Sequence, residues 1–294
     1  MDLTLPALPA LAATVRVLYV LAMFVAAGGA LFLTLKTRDM PDLAQRIRPG
    51  LLAVAAAAGS LAVLDLGPHG AILRGRGIDG LFETESWWTG FASDRGLAVS
   101  LLLLGLGPLA LGVAGLGRGL SAVGTVAGAL IAVASMAADS VAAYADPRWI
   151  STTAIVLHGY GAALWLGGLW PLTVALTTQS DEAAATLVRR FLKTAMGAWT
   201  LLFVSGLALS PVALAEPEAL LGTGYGRAWI LKLVLALGLL GLAALRTAHL
   251  WPLLMAHRPG AAAALRGAVL TQAALGFSLV LVSLALDIAP VLAP

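Results

Sequence analysis

Residues 150–178, which read ISTTAIVLHGYGAALWLGGLWPLTVALTT, constrain the fold more than any other part of this chain. Roughly 20 apolar residues rising 1.5 Å each cross the hydrocarbon core of a bilayer, and this run exceeds that length. Inside lipid every backbone N–H and C=O must be satisfied within the segment or a closed barrel, so a single run of this kind forms a helix. One ionisable side chain, His158, lies well inside it. A titratable group in a lipid-embedded helix costs on the order of a few kcal/mol unless it faces a partner or a water-filled cavity. His158 therefore marks either a functional site or a neutral imidazole bonded to a neighbouring helix.

The same criterion applied to the whole chain finds eight apolar spans, at about 12–36, 49–68, 96–116, 120–144, 150–178, 191–213, 227–248 and 267–289. Of the 294 residues, 60% are hydrophobic and 11% charged, and the mean hydropathy is +0.94, far outside the range of soluble domains. The fold class is thus all-α: a polytopic membrane bundle of eight transmembrane helices. The first apolar run lacks a basic n-region and continues to spanning length, so it reads as a retained helix rather than a signal peptide. With zero Cys, thiolate ligation and disulfides are excluded, leaving His, Met, carboxylate or backbone oxygen for any metal.

The net charge of +3 does not describe a nucleic-acid surface, because the basic residues sit in short inter-helix loops. Loops after helices 1, 3, 5 and 7, with their flanks, carry Lys36, Arg38, Arg46, Arg48, Arg118, Arg189, Arg190, Lys193, Arg246, Arg258 and Arg266. The opposite side has Arg16, Arg74, Arg76, Arg95, Arg148 and Arg227. Cytoplasmic loops are the Lys- and Arg-rich ones, which places both termini outside, in the periplasm of a Gram-negative cell. The longest outer loop, 68–93, holds His69, Glu83, Trp87 and Trp88 and suits a short interfacial helix or aromatic anchor touching lipid. Its inner counterpart, 246–266, contains His249, Trp251, Met255 and His257 in a Pro-broken basic segment, which reads as solvated loop rather than metal site.

An internal duplication organises the helices. VLYVLAMFVAAGG of helix 1 aligns with VLHGYGAALWLGG of helix 5, setting Tyr19 against His158 and Gly28 and Gly29 against Gly167 and Gly168. DRGLAVSLLLLGL aligns with YGRAWILKLVLAL, pairing Arg95 with Arg227 and Ser100 with Lys232; SMAAD and SLALD pair Asp139 with Asp287. A four-helix unit re-enters from the same side, so 1–148 and 149–294 are expected to be parallel repeats about an axis along the membrane normal. Helix direction then sets depth: Asp65, Asp139, Asp287, His158, Arg227 and Lys232 all fall in the outer half. Met136 shares a helix face with Asp139, and Met23 with Tyr19. These positions predict an outward-facing cation site of His158, Asp139, Met136, Met23, Asp65 and Asp287, with Arg95, Arg227 and Lys232 as charge partners. If Lys232 or Arg227 pairs with Asp139 or Asp287, those acids are counter-ions instead of ligands.

The run RRFLKTAMGAWTLLFVSGLALSPVAL, followed by LLGTGYGRAWILKLVLALGLLGLAALRTAHLWPLL with its T-x-YGR-x-x-x-x-K element, resembles the copper-resistance D (CopD) family, as does the stretch beginning at His158. The resemblance covers residues 154–254; where the family often has Asn-Arg after helix 7, this chain has Arg246-Thr247. It implies a bacterial inner-membrane protein that moves copper ions as its substrate, usually inward from the periplasm and beside a periplasmic copper-binding protein. No nucleotide-binding P-loop or aspartyl-phosphate-type loop is present, so the expectation is a non-enzymatic permease driven by a gradient or a partner. Two other classes stay open: a haem- or quinone-linked redox protein, for which a second deep His is wanting, and an accessory subunit without ligand.

Overall fold

Backbone groups that lipid cannot satisfy have closed on themselves in helices. The computed structural model describes residues 4–37, 39–115, 118–140, 143, 145–213, 222 and 224–292, and these contain no strand. In chain order the helices are α1 (Thr4–Lys36), α2 (Pro41–Leu73), α3 (Thr84–Phe91), α4 (Asp94–Ala114), α5 (Arg118–Ala134), α6 (Arg148–Thr178), α7 (Asp181–Ala213), α8 (Gly224–Leu245), α9 (Trp251–Met255) and α10 (Ala261–Leu292). Eight stretches are long and apolar enough to cross a membrane: one on each of α1, α2, α4, α5, α6, α7 and α10, and one running from α8 into α9.

All eight expected spans are present, and most are longer than hydropathy alone delimits. α2 runs through Pro49 and Pro68 to Leu73, so the outer loop begins at Arg74 and not at Pro68. A 3-10 turn, Ile78–Phe82, leads into the short helix α3. On the inner side the expected loop 246–266 is mostly helix. One π-helical turn, Arg246–Leu250, joins α8 to α9, and Pro252 stands in the first turn of α9, where its missing N–H costs nothing.

α1 and α6 form the axis of the bundle. α1 packs on α2 and α6, α6 on α7, α4 on α5, and α8 on α10; α5 and α10 each also reach α1 and α6. The central contact is backbone on backbone. A Cβ at Gly28 would stand 1.7 Å from the Ala163 carbonyl oxygen, and one at Gly167 would stand 2.5 Å from Gly28 Cα. Close approach of this kind is how helices gain dispersion contact where lipid supplies no hydrophobic drive. The buried apolar side chains Met23, Leu51, Leu102, Leu109, Leu169, Leu172 and Phe191 fill the space around that axis.

Charged clamps hold the loop ends. At the inner end Arg190 of α7 donates to Asp39 at 2.5 and 2.7 Å and to the Lys36 carbonyl at 2.6 Å. Those hydrogen bonds hold the Asp39 carboxyl at about 2, well below the usual carboxylate range. At the outer end Glu83 accepts from Arg74 at 2.9 Å and from Arg76, and the latter bond lowers its pKa.

Candidate functional site

The ionisable groups of the first four spans converge at one end of the bundle. α2 brings Asp65, which is fully buried; α4 brings Arg95, two residues inside its N-terminus; α1 brings Arg16 and Tyr19. α5 gives way to a 3-10 turn, Ser135–Ala138, in which residues three apart eclipse, so Met136 and Asp139 point the same way. Arg95 joins the two acids. Its Nη1 donates to Asp65 Oδ2, and its Nε lies 2.5 Å from Asp139 Oδ2. The second contact is an ion pair without hydrogen-bond geometry, since neither of its atoms counts as hydrogen-bonded. Arg16 Nη2 completes the cluster, 3.5 Å from Asp139 Oδ2.

Beside this network is a cavity of about 40 Å³ whose walls include Arg16, Tyr19, Met23, Ser135, Met136 and Asp139. It is large enough for a water molecule or an ion. Four buried polar atoms of the cluster make no hydrogen bond: Arg16 Nε, Asp65 Oδ1, Arg95 Nε and Asp139 Oδ2. Such atoms are uncommon in folded proteins and concentrate where a ligand, ion or redox role explains them.

His158 belongs to a different neighbourhood. Its Nδ1 lies 3.0 Å from Ser205 Oγ on α7, and Ser205 donates its own hydroxyl proton to the Leu201 carbonyl. With its proton on the Leu201 carbonyl the serine oxygen is left to accept, which favours the tautomer with the ring proton on Nδ1 and the metal-ligating lone pair on Nε2. Lys232 of α8 is near enough for its charge to act on the ring. Neither His158 nor its neighbour Gly159 lines the cavity, although Gly159 packs against Met136: a Cβ there would come 3.2 Å from Met136 Sδ.

The structure thus brings Met23, Met136, Asp139, Asp65 and Arg95 together and sets His158 with Ser205 and Lys232 apart from them. Asp139 pairs with Arg95 and Arg16 rather than with Lys232 or Arg227, which corrects one of the alternatives drawn from the sequence. Arg227 is exposed on α8. Asp287 is carried by α10, but its side chain lies outside the described residues. Among the described residues no group of three or more His, Asp or Glu stands close enough to hold a metal ion.

Three polar positions were hidden in the sequence. His69, placed at loop depth by its Pro68 neighbour, is half-buried in α2 one turn beyond Asp65, and Arg95, Asp139 and Arg16 are the charges that act on it. Ser205 gave no signal because isolated serines are common in such helices. Arg246, read as a loop cation, is buried at the inner side: it donates to Gln272 and stacks 5.9 Å from the Phe191 ring.

Residues 185–287 match the family model of copper resistance protein D, CopD. That stretch, about a third of the chain, is similar to the CopD family. The match begins later than the sequence resemblance and runs on through most of α10, so it takes in Ser205, Lys232 and Asp287 and leaves out His158 and the cluster of the first half. No curated protein and no solved structure matches the chain. The description of the matched family names copper resistance.

Proposed function

We propose that the protein moves copper ions across a bacterial inner membrane, taking them from the outer face toward the cytoplasm, with both termini outside. The observation that carries this reading is the cavity in which two thioethers and a carboxylate, Met23, Met136 and Asp139, face one another within a bundle similar in part to CopD. Thioether sulfur suits Cu(I), and imidazole is acceptable to either oxidation state. In this reading Met23, Met136 and Asp139 capture the ion. Asp65 anchors Arg95 as its counter-ion. His158, with Nε2 free and Nδ1 fixed by Ser205, receives the ion on the second half; an oriented second nitrogen of this kind is the usual companion of a ligating imidazole. Asp287, the counterpart of Asp139, is assigned to the second-half site by the expected duplication, and a periplasmic copper-binding protein is the fitting donor.

Transport rather than tight storage suits this sparse set of ligands, because an ion that must leave cannot be held by a dense one. Copper is the cargo here, and the reading involves no chemical conversion of a substrate. Copper accumulation in cells with and without the gene tests it: expression should raise cell copper, and the rise should vanish in the double variant Met23→Leu/Met136→Leu at equal membrane abundance. Unchanged copper content on expression would refute the transport reading, and lowered content would reverse its direction.

A further inference from the structure

The two arginines of the outer cluster are held in different ways. Arg95 is buried and lies against both carboxylates, Asp65 and Asp139. Among the described residues Arg16 pairs with Asp139 alone, at 3.5 Å, and its side chain is 15% exposed against 7% for Asp139. It sits on α1 one turn outward from Tyr19 and lines the same cavity as Met23, Met136 and Asp139. Its Nε makes no hydrogen bond. Arg95 is thus a fixed member of the cluster, and Arg16 is a long, flexible arm resting on the acid at the cavity mouth.

Charge counting gives this difference a role. Two guanidiniums and two carboxylates make the cluster neutral, and a cation added to it in a low-dielectric interior meets an uncompensated positive charge. Arginine does not lose its proton in proteins, so neutrality is kept only if a positive charge moves away. Arg16 is the one with a route to the surface.

We propose that Arg16 is an exchangeable internal cation: its guanidinium holds the face of Asp139 that a soft monovalent metal ion takes on entering the cavity, and the arm swings outward as the ion binds. The exchange keeps the cluster neutral in both states. It also makes release spontaneous, because the tethered arm competes for Asp139 whenever the ion steps away. Tyr19, Ser135 and Ser140, which also face the cavity, carry no formal charge at neutral pH and leave this balance to the four ionised groups. The proposal rests on the copper reading above, and its test separates the two.

The experiment titrates the full-length protein in detergent with silver(I) nitrate, and with Cu(I) held by a competing chelator. Arg16→Gln removes the competitor and should bind both ions at least tenfold more tightly than the wild type, whereas Arg16→Lys keeps the charge and should stay near the wild-type value. A second readout uses the unaltered protein: saturating silver should increase phenylglyoxal modification of Arg16, read by peptide mass spectrometry. If wild type and Arg16→Gln bind equally and the modification of Arg16 does not change, the exchange is wrong while the copper site stands. If neither protein binds Cu(I) or silver, the site itself is wrong and the exchange falls with it.

Discussion

Two groups of buried polar side chains, one around Arg95 and one around His158, solve the same problem differently. In the first half Arg16, Asp65, Arg95 and Asp139 put four formal charges inside the bundle and balance them against one another. Between α6 and α7 His158 meets Ser205, with the Lys232 charge nearby, and the contact on the ring is a hydrogen bond rather than an ion pair. A buried ion network has a fixed composition, since removing one member strands the other in low dielectric. A neutral imidazole bonded to a hydroxyl can lose its partner at the cost of roughly one hydrogen bond. The first region is therefore committed in its net charge, so that a cation leaves it only as another takes its place, and the second is adjustable.

The largest test of this contrast is Arg95→Met. Stranding Asp65 and Asp139 should cost about 3–5 kcal/mol, seen as a steep fall in thermal midpoint in detergent or as loss of protein from the membrane. The companion variant Arg95→Met/Asp65→Leu should recover much of the loss. His158→Ala should leave the midpoint within about 1 kcal/mol of wild type, and a drop as large as that of Arg95→Met would erase the distinction between the two regions.

Next in size, Met23→Leu/Met136→Leu should weaken Cu(I) binding by tenfold or more without altering the fold, because leucine keeps the volume and removes the sulfur. Equal binding by this variant would move capture elsewhere. Ser205→Ala frees the imidazole from its fixed tautomer, and a lost outer-shell partner costs on the order of 10-fold in metal affinity or activity. Copper uptake should fall accordingly while Ser135→Ala in the first half, whose hydroxyl is already spent on the Ala132 carbonyl, changes little.

The smallest effect concerns the inner clamp. Arg190 holds the Asp39 carboxyl at about 2, below its ordinary 3.8, so the folded state binds its proton less readily than the unfolded state does. Its contribution is complete above the ordinary value and is lost as pH falls toward 2. Asp39→Asn should lower the thermal midpoint slightly at neutral pH, less at high salt, and the two proteins should converge near pH 2. A difference that persists there would assign Asp39 a role other than its charge.

The reach of the sequence follows from the same physics. The bilayer imposes a length and an apolar content that local sequence displays openly, so all eight spans could be read, although four of the helices begin six to ten residues before the apolar run. Ionisable side chains inside those spans are conspicuous because they are costly, and Asp65, Asp139 and His158 stood out for that reason. Which of them meet depends on helix rotation and tilt, set by contacts such as Gly28 against Gly167; Asp139 turned to Arg95 and Arg16 instead of joining His158. Proline misled twice. Pro68 and Pro252 read as stops, yet inside a bundle neighbouring helices and a π turn absorb the lost hydrogen bond, which carried His69 and Arg246 from loop to interior.

Copper uptake into proteoliposomes reconstituted with the purified protein tests the central claim most directly. Wild-type protein should load the vesicles with copper, and both Met23→Leu/Met136→Leu and His158→Ala should abolish loading while remaining folded and inserted. Loading at the wild-type rate by either variant would contradict the account, and for His158→Ala it would leave the imidazole a structural partner of Ser205.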